Sequence, residues 1–251
     1  MTRNVPSTPF ATGGEPPGQG PSRPWLCCLL PMLVFTAGGM LEPVPSGAGL
    51  AGRLGIPYSA YPVLYTCKLA ATAAALVWCW PSLGRWLGRP RWWPPLLGLA
   101  LAIPWVVLAT LQRQAGWAAA LGERSGFDPF VNLPDDPTGA WGFFTVRAIG
   151  LVLLVPALEE LFVRGFLMRY VVSERFWEVP FGSLTAASLT ACVVYAAATH
   201  PAEAVAAVGW FALVSGVAAA TRQPIDCILA HAATNLALGG YVLATGSWWL
   251  L

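Results

Sequence analysis

Seven apolar runs dominate the sequence and limit it to structures that fit a lipid bilayer. They cover residues 25–41, 59–81, 94–111, 142–171, 184–199, 203–220 and 225–247. Most of them approach the ~20 residues that a helix needs to cross the hydrocarbon core. In lipid the backbone polar groups must be hydrogen-bonded within the segment, so such runs form helices. The sequence therefore predicts an all-α, polytopic membrane protein with about seven (six to eight) transmembrane helices.

The composition excludes soluble proteins and nucleic-acid binders. Hydrophobic residues make up 56% of the chain and charged residues only 10%, whereas roughly a quarter of a typical soluble domain is charged. The 14 basic and 12 acidic residues are scattered along the chain, and no cluster could neutralise a row of phosphates. We therefore expect membrane lipid and a peptide or protein substrate near the membrane as partners, and no nucleic acid.

The chain divides into three parts by composition. Residues 1–24 are rich in proline and glycine and lack apolar periodicity, which predicts a disordered tail because such a segment buries too little apolar surface to order itself. Residues 25–141 are expected to form N-terminal membrane helices and their connecting loops. Residues 142–251 contain the polar motifs described below and are interpreted as the functional helical core.

Arginines in the short loops predict the orientation, because cytoplasmic loops carry an excess of basic residues. With a cytoplasmic N-terminus, seven arginines fall on the inner side and three on the outer side. The inner set is Arg3, Arg23, Arg85, Arg89, Arg91, Arg175 and Arg222, and the outer set is Arg53, Arg113 and Arg124. We expect a multi-pass protein of the cell membrane with its N-terminus in the cytoplasm.

Two adjacent carboxylates lie inside the fourth apolar run. The run contains Glu159, Glu160 and Arg164. Ionisable residues inside a membrane cost free energy, so they are first interpreted as parts of a functional site. On a helix Glu160 and Arg164 are four residues apart and face each other, while Glu159 points about 100° away. One alternative is an ion pair that only joins two helices. That alternative explains Glu160 and Arg164 but leaves Glu159 without a role.

The two histidines of the chain lie in or beside apolar runs of the last third. His200 precedes Pro201 at the junction of two runs, and His231 and Asn235 share one helix face. The alternative for His200 is a helix cap, and for His231 and Asn235 it is hydrogen bonding between helices. A carboxylate, two imidazoles and a carboxamide together supply what peptide hydrolysis needs, namely a base for water, a proton shuttle and donors for an oxyanion.

The order of these residues resembles a known family. The pattern Glu159-Glu160-x-x-x-Arg164, then His200, then His231-x-x-x-Asn235 looks like the CAAX prenyl protease and bacteriocin-processing (Abi) family. The resemblance covers roughly residues 142–247. The stretch from His200 onward further resembles a CAAX-protease-related branch associated with exosortase and PEP-CTERM sorting systems. The family usually has Phe four residues before its middle histidine, where this sequence has Ala196.

The resemblance implies a glutamate-dependent intramembrane endopeptidase that works without a metal or other cofactor. Carried over by residue, Glu159 is the general base and His200 helps to activate water. Arg164 holds Glu160 and fixes the helix face, while His231 and Asn235 stabilise the oxyanion. Residues 142–251 are then a CAAX-protease-like catalytic core. We further expect the four catalytic side chains to line one polar cavity within the bilayer, because acid and base must reach the same water.

Alternatives remain open at this point. Two histidines and a glutamate could bind zinc with an open fourth position, although the His-Glu-x-x-His pattern of zinc proteases is missing. A non-catalytic scaffold or immunity-type protein needs the same buried polar groups for binding a partner. A transpeptidase of the exosortase type needs a cysteine nucleophile, for which Cys227 is the best placed.

Overall fold

The computed structural model describes residues 24–117, 120 and 126–250, and within them the chain is helical without any strand. The all-α prediction is therefore confirmed for this part of the chain. The predicted tail lies outside the described residues except for Pro24, and so do Arg3, Arg23 and Arg124. The longer helices are α1 (Pro24–Gly39), α3 (Tyr61–Leu83), α4 (Trp93–Gln114), α6 (Pro137–Ile149), α7 (Val155–Phe162), α9 (Ala186–Thr199), α10 (Ala204–Thr221) and α11 (Pro224–Thr245). The short helices are α2 (Gly49–Arg53), α5 (Pro129–Asn132) and α8 (Met168–Tyr170).

Each of the seven apolar runs corresponds to helix in the described residues, which makes the chain a polytopic membrane protein. Four helical segments are long and apolar enough to cross a bilayer: Tyr58–Leu83, Trp93–Gln114, Pro201–Thr221 and Pro224–Thr245. Helices α1 and α9 are apolar but shorter. The remaining run is one uninterrupted helical stretch over residues 137–170, formed by α6, α7 and α8.

Two π-helical segments interrupt the α-helical pattern of residues 137–170. They are Gly150–Leu154 and Val163–Leu167, and they lie on either side of α7. Such segments lengthen the backbone hydrogen bond to i→i+5 and occur frequently at functional sites. Helix α7 carries Glu159 and Glu160, so both carboxylates lie between two places where the backbone departs from regular α-helix.

Local signals explain where α9 and α10 begin and end. Thr185 and Ser188 form a capping box at the start of α9, which satisfies two backbone N–H groups reciprocally. Helix α9 ends at Thr199 with His200 as its C-cap, because Pro201 follows and starts a 3₁₀ turn. At the start of α10 the side-chain oxygen of Gln112 accepts from the backbone N–H groups of Val205 and Ala206. These contacts hold the turn that carries His200 against α4.

Small residues bring the helices into close contact. A Cβ atom on Gly98 of α4 would collide with the backbone carbonyl of Ala230 in α11. Helix α1 lies against α3, and it packs there with Gly38 facing the stem of Lys68. Helices α4, α9, α10 and α11 share one apolar core that includes Trp105, Phe211 and Leu238. The polar site described next lies beside this core.

Candidate active site

A fully buried ion pair anchors the site. Arg164 Nη1 donates to Glu160 Oε1 at 2.8 Å and to Oε2 at 2.7 Å. Arg164 Nη2 donates to the backbone carbonyl of Phe211 at 2.9 Å. Glu160 is 0% exposed and Arg164 2%, so neither charge is compensated by water. The pair is the one that the spacing of four residues predicts, and it also joins α7 to α10.

His231 lies between the two adjacent carboxylates. Its Nδ1 lies 3.0 Å from Glu160 Oε1 and its Nε2 lies 3.9 Å from Glu159 Oε2. An ionised carboxylate only accepts hydrogen bonds, so Nδ1 is the donor to Glu160. The ring of Trp210 packs against the imidazole at 4.6 Å between centroids. Glu160 therefore fixes the imidazole ring, and Nε2 is the ring nitrogen directed to Glu159.

Glu159 faces away from Arg164 and into the interior. Its Oε1 accepts a hydrogen bond from the Tyr195 hydroxyl at 3.3 Å, and its side chain is 13% exposed. The distance of 3.9 Å to His231 Nε2 exceeds direct hydrogen-bond length. A water molecule can join groups at such separations. The helical turn thus separates the two glutamates into one neutralised carboxylate and one that borders open space.

Asn235 is bound to the first π-helical segment. Its Nδ2 donates to the backbone carbonyl of Leu151 at 2.8 Å. The carboxamide lies one helical turn beyond His231 on the same face of α11, as the spacing predicts. This bond also matches the alternative interpretation of Asn235 as a link between helices.

His200 packs against two aromatic rings that line the cavity. Its Nδ1 lies 2.9 Å from the Thr199 hydroxyl, and its ring packs on Trp105 at 5.6 Å and on Phe211 at 5.9 Å. Residues 204 to 211 rise about 10 Å along α10. Aromatic side chains in a helix lean toward its N-terminus, and Phe211 thereby approaches His200 despite that rise. The side chain of His200 is half-buried rather than fully exposed.

One cavity of about 480 Å³ contains all four predicted catalytic side chains. Glu159, His200, His231 and Asn235 line it, so they meet in one internal space. The catalytic roles of the four side chains stay predictions. The walls of this cavity also include residues that the sequence reasoning missed. These are Phe35, Glu42, Tyr61, Tyr65, Lys68, Trp105, Arg147 and Tyr195. The N-terminal half therefore contributes much of the cavity wall.

The positions of other candidate residues bear on the alternatives. Cys227 is 0% exposed, its thiol contacts the carbonyl of Val214 at 3.9 Å, and it does not line the cavity. A role as nucleophile is incompatible with that burial. Among the described residues, no group of three or more His, Cys, Asp or Glu side chains is arranged to hold a metal ion. Metal independence stays a prediction.

The fold and the cavity define a class: a polytopic helical membrane protein with a buried cluster of glutamate, histidine and arginine. Residues 141–237 match the sequence model of a family described as type II CAAX prenyl endopeptidase Rce1-like. The resemblance to the CAAX prenyl protease and bacteriocin-processing family is therefore confirmed over that segment, which contains all six predicted site residues. No curated protein and no solved structure matches the chain. The association with exosortase systems stays a prediction.

Proposed function

We propose that the chain is an intramembrane endopeptidase that hydrolyses a peptide bond of a membrane-associated protein or peptide. The observation that carries the proposal is the single cavity lined by Glu159, His200, His231 and Asn235. The family described as type II CAAX prenyl endopeptidase supports the same reaction class. A site for hydrolysis needs a base, donors for an oxyanion and a space that admits water.

In the proposed mechanism Glu159 removes a proton from a water molecule held between its carboxylate and His200. The water oxygen attacks the scissile carbonyl carbon and forms a tetrahedral intermediate with a negative oxygen. His231, as an imidazolium with a proton on each ring nitrogen, keeps its Nδ1–H on Glu160 and donates its Nε2–H to that oxygen, together with the second N–H of the Asn235 amide. The protonated Glu159 then gives its proton to the leaving amine nitrogen, and the carbon–nitrogen bond breaks.

The roles of Glu160 and Arg164 are positional. Arg164 neutralises Glu160 and ties it to the Phe211 carbonyl. Glu160 in turn orients His231. A preorganised donor costs no reorganisation when charge develops in the transition state. The buried pair therefore acts on the reaction through the orientation of the imidazole.

The test compares cleavage of a membrane-bound reporter peptide by the purified protein and by Glu159→Gln. The substitution removes the base with little change in shape, so we expect cleavage to fall below detection while thermal unfolding stays near the wild type. Glu178→Gln is the matched control, because Glu178 is exposed and paired with Arg175 on the surface. A fully active Glu159→Gln protein would show the mechanism to be wrong.

Two further results separate the proposal from its alternatives. Loss of cleavage on adding a chelator, with recovery on zinc, would replace the metal-free mechanism by zinc catalysis. A wild-type protein that binds membrane peptides tightly and never cleaves them would instead support a scaffold or immunity-type protein, in which the polar cluster only binds a partner.

A further inference from the structure

The single lysine of the chain is held inside the cavity. Lys68 is 7% exposed, and its Nζ lies 2.5 Å from Glu42 Oε1. The same atom lies 4.3 Å from the centre of the Phe35 ring and 4.5 Å from that of Tyr65. Gly38 leaves room for the lysine stem, since a Cβ atom there would collide with it. The ammonium group therefore occupies a built position.

A second buried cation lies beside it. Arg147 is 4% exposed, and its Nη1 donates to the backbone carbonyl of Phe127 at 2.7 Å. Its Cζ lies 6.0 Å from the centre of the same Tyr65 ring that contacts Lys68. Arg147 Nε has no hydrogen-bond partner among the described residues. Within the part of the chain that the structure describes, this end of the cavity thus carries two cations against one carboxylate, that of Glu42.

An excess positive charge in a membrane interior is costly unless an anion compensates it. We propose that Lys68 and Arg147 form a subsite for a carboxylate group of the substrate peptide. In the absence of substrate, Glu42 pairs with Lys68 until that carboxylate displaces it. The inference rests on the proposed function, because it names a feature of the peptide that the same cavity cleaves. Glu42 is then an internal stand-in for the substrate carboxylate.

The shape of the cavity connects this subsite to Glu159. Arg147, Leu151, Val155 and Glu159 all line the cavity, and their spacing of four residues makes successive members neighbours along the helical stretch. Residues 147 to 159 rise about 18 Å, a distance that about five residues of extended chain cover at about 3.3 Å per residue. The substrate carboxylate, from a C-terminus or an acidic side chain, therefore lies about five residues from the scissile bond.

Continuity of the cavity favours a peptide over a lipid headgroup. An anionic headgroup could neutralise Lys68 and Arg147, but it would make no use of the lined path that leads on to Glu159. An extended peptide fills both ends at once. The lipid is therefore kept as an outcome of the test.

The experiment measures binding in the Glu159→Gln protein, so that cleavage is not needed for the readout. Three fluorescein-labelled apolar peptides are compared in nanodiscs: one with a free C-terminal carboxylate, one with a terminal carboxamide, and one with a carboxamide and an internal Glu. We expect both carboxylate peptides to bind about tenfold more tightly than the uncharged peptide, the usual effect of one charge-assisted hydrogen bond. A preference for only one of them identifies the source of the carboxylate.

Variants test the two cations and the stand-in. Glu42→Gln should tighten binding of the carboxylate peptides, a gain that misfolding cannot produce. Lys68→Met combined with Glu42→Gln should reduce the ratio of the affinities for the carboxylate and the uncharged peptides to about one. Arg147→Gln should lower the same ratio. Arg175→Met combined with Glu178→Gln removes an exposed pair of the same kind and should leave the preference unchanged.

Several results would overturn the inference. These are equal binding of all three peptides, a preference that survives loss of Lys68 and Glu42, or weaker binding in a folded Glu42→Gln protein. Displacement of the uncharged and charged peptides alike by glycerol phosphate would assign the subsite to a lipid headgroup. If the wild-type protein cleaves nothing but the carboxylate preference is found, the endopeptidase proposal fails while the subsite stands. If the wild-type protein cleaves, mass spectrometry should place the cut about five residues from the carboxylate. A cleavage position that does not depend on the position of the carboxylate would refute this spacing.

Discussion

Two adjacent glutamates serve different purposes because a helix turns about 100° between them. Glu160 is fully buried and bound by Arg164 and His231. Glu159 meets Tyr195 and borders the cavity. A buried charge whose partners are complete contributes to the fold, whereas a carboxylate beside an open space is able to exchange a proton with water.

Arg164 carries the first prediction at this scale. Arg164→Ala leaves Glu160 as an uncompensated buried charge and removes a donor to the Phe211 carbonyl. Truncating one member of a buried pair typically costs on the order of 3–5 kcal/mol. We expect lower accumulation in membranes and a clearly lower melting temperature in detergent. Arg175→Ala is the control, because its surface pair with Glu178 should contribute under about 1 kcal/mol. Equal melting temperatures for the two variants would contradict the structural role of Arg164.

The residue-scale contacts could be predicted from sequence only where they are local. The Glu160–Arg164 pair follows from a spacing of four on one helix. The bond from His231 to Glu160 joins residues 71 positions apart, and no periodicity reports such a contact. Lys68 and Arg147 could have been found by the criterion that selected Glu159, since each is an ionisable residue inside an apolar run. Their joint contact with one ring required the fold.

At the scale of helices, hydropathy located the segments well but not their internal hydrogen bonding. The runs 59–81 and 225–247 correspond closely to α3 and α11. The π-helical segments around α7 were not predicted, because apolar composition is the same for i→i+4 and i→i+5 bonding. One of them supplies the Leu151 carbonyl that binds Asn235, so the unpredicted feature shapes the site.

The packing of α4 against α11 gives a prediction for a single methyl group. Gly98→Ala places a Cβ atom against the backbone of Ala230, and a backbone neighbour cannot rotate away. The two helices must separate, which also disturbs the bond from the Thr234 hydroxyl to the Gly98 carbonyl. We expect a lower melting temperature and reduced cleavage, because α4 carries Trp105 beside His200.

Gly239→Ala is the matched control for this change. Gly239 lies in α11, and apart from the adjoining residues of its own helix, no atom of the described residues lies within 4 Å of the position that an alanine methyl group would occupy there. Alanine favours helix over glycine by about 1 kcal/mol. The melting temperature of this variant should therefore equal or exceed that of the wild type. If both variants melt alike, close approach of the helices at Gly98 does not limit stability.

Across the whole molecule, the two halves of the chain meet at the cavity rather than forming independent units. Residues 141–237 match the family, yet Lys68 of α3 and Trp105 of α4 line the same space as Glu159. The division at residue 141 therefore describes where the motif residues are concentrated. We expect the segment after residue 141 to be inactive when produced alone, because it lacks one wall of its cavity.

The path of the chain through the bilayer gives the last prediction. Contacts order the helices consistently: Gly98 of α4 meets Ala230 of α11 near the start of both, and Leu69 of α3 meets Gly150 in the first half of its helical stretch. The two helices of each pair are therefore taken to start on the same side of the membrane. An even number of membrane passes must then separate the starts of the two helices. Seven passes would put the two ends of the described chain on opposite sides, and the arginine distribution predicts that the first end lies in the cytoplasm. Reporters fused ahead of Pro24 and after Leu250 should be active in the cytoplasm and outside it, respectively. Cytoplasmic activity of both reporters would mean that the short apolar helix α1 does not cross the membrane. An external first reporter with a cytoplasmic second one would reverse the orientation while keeping the seven passes.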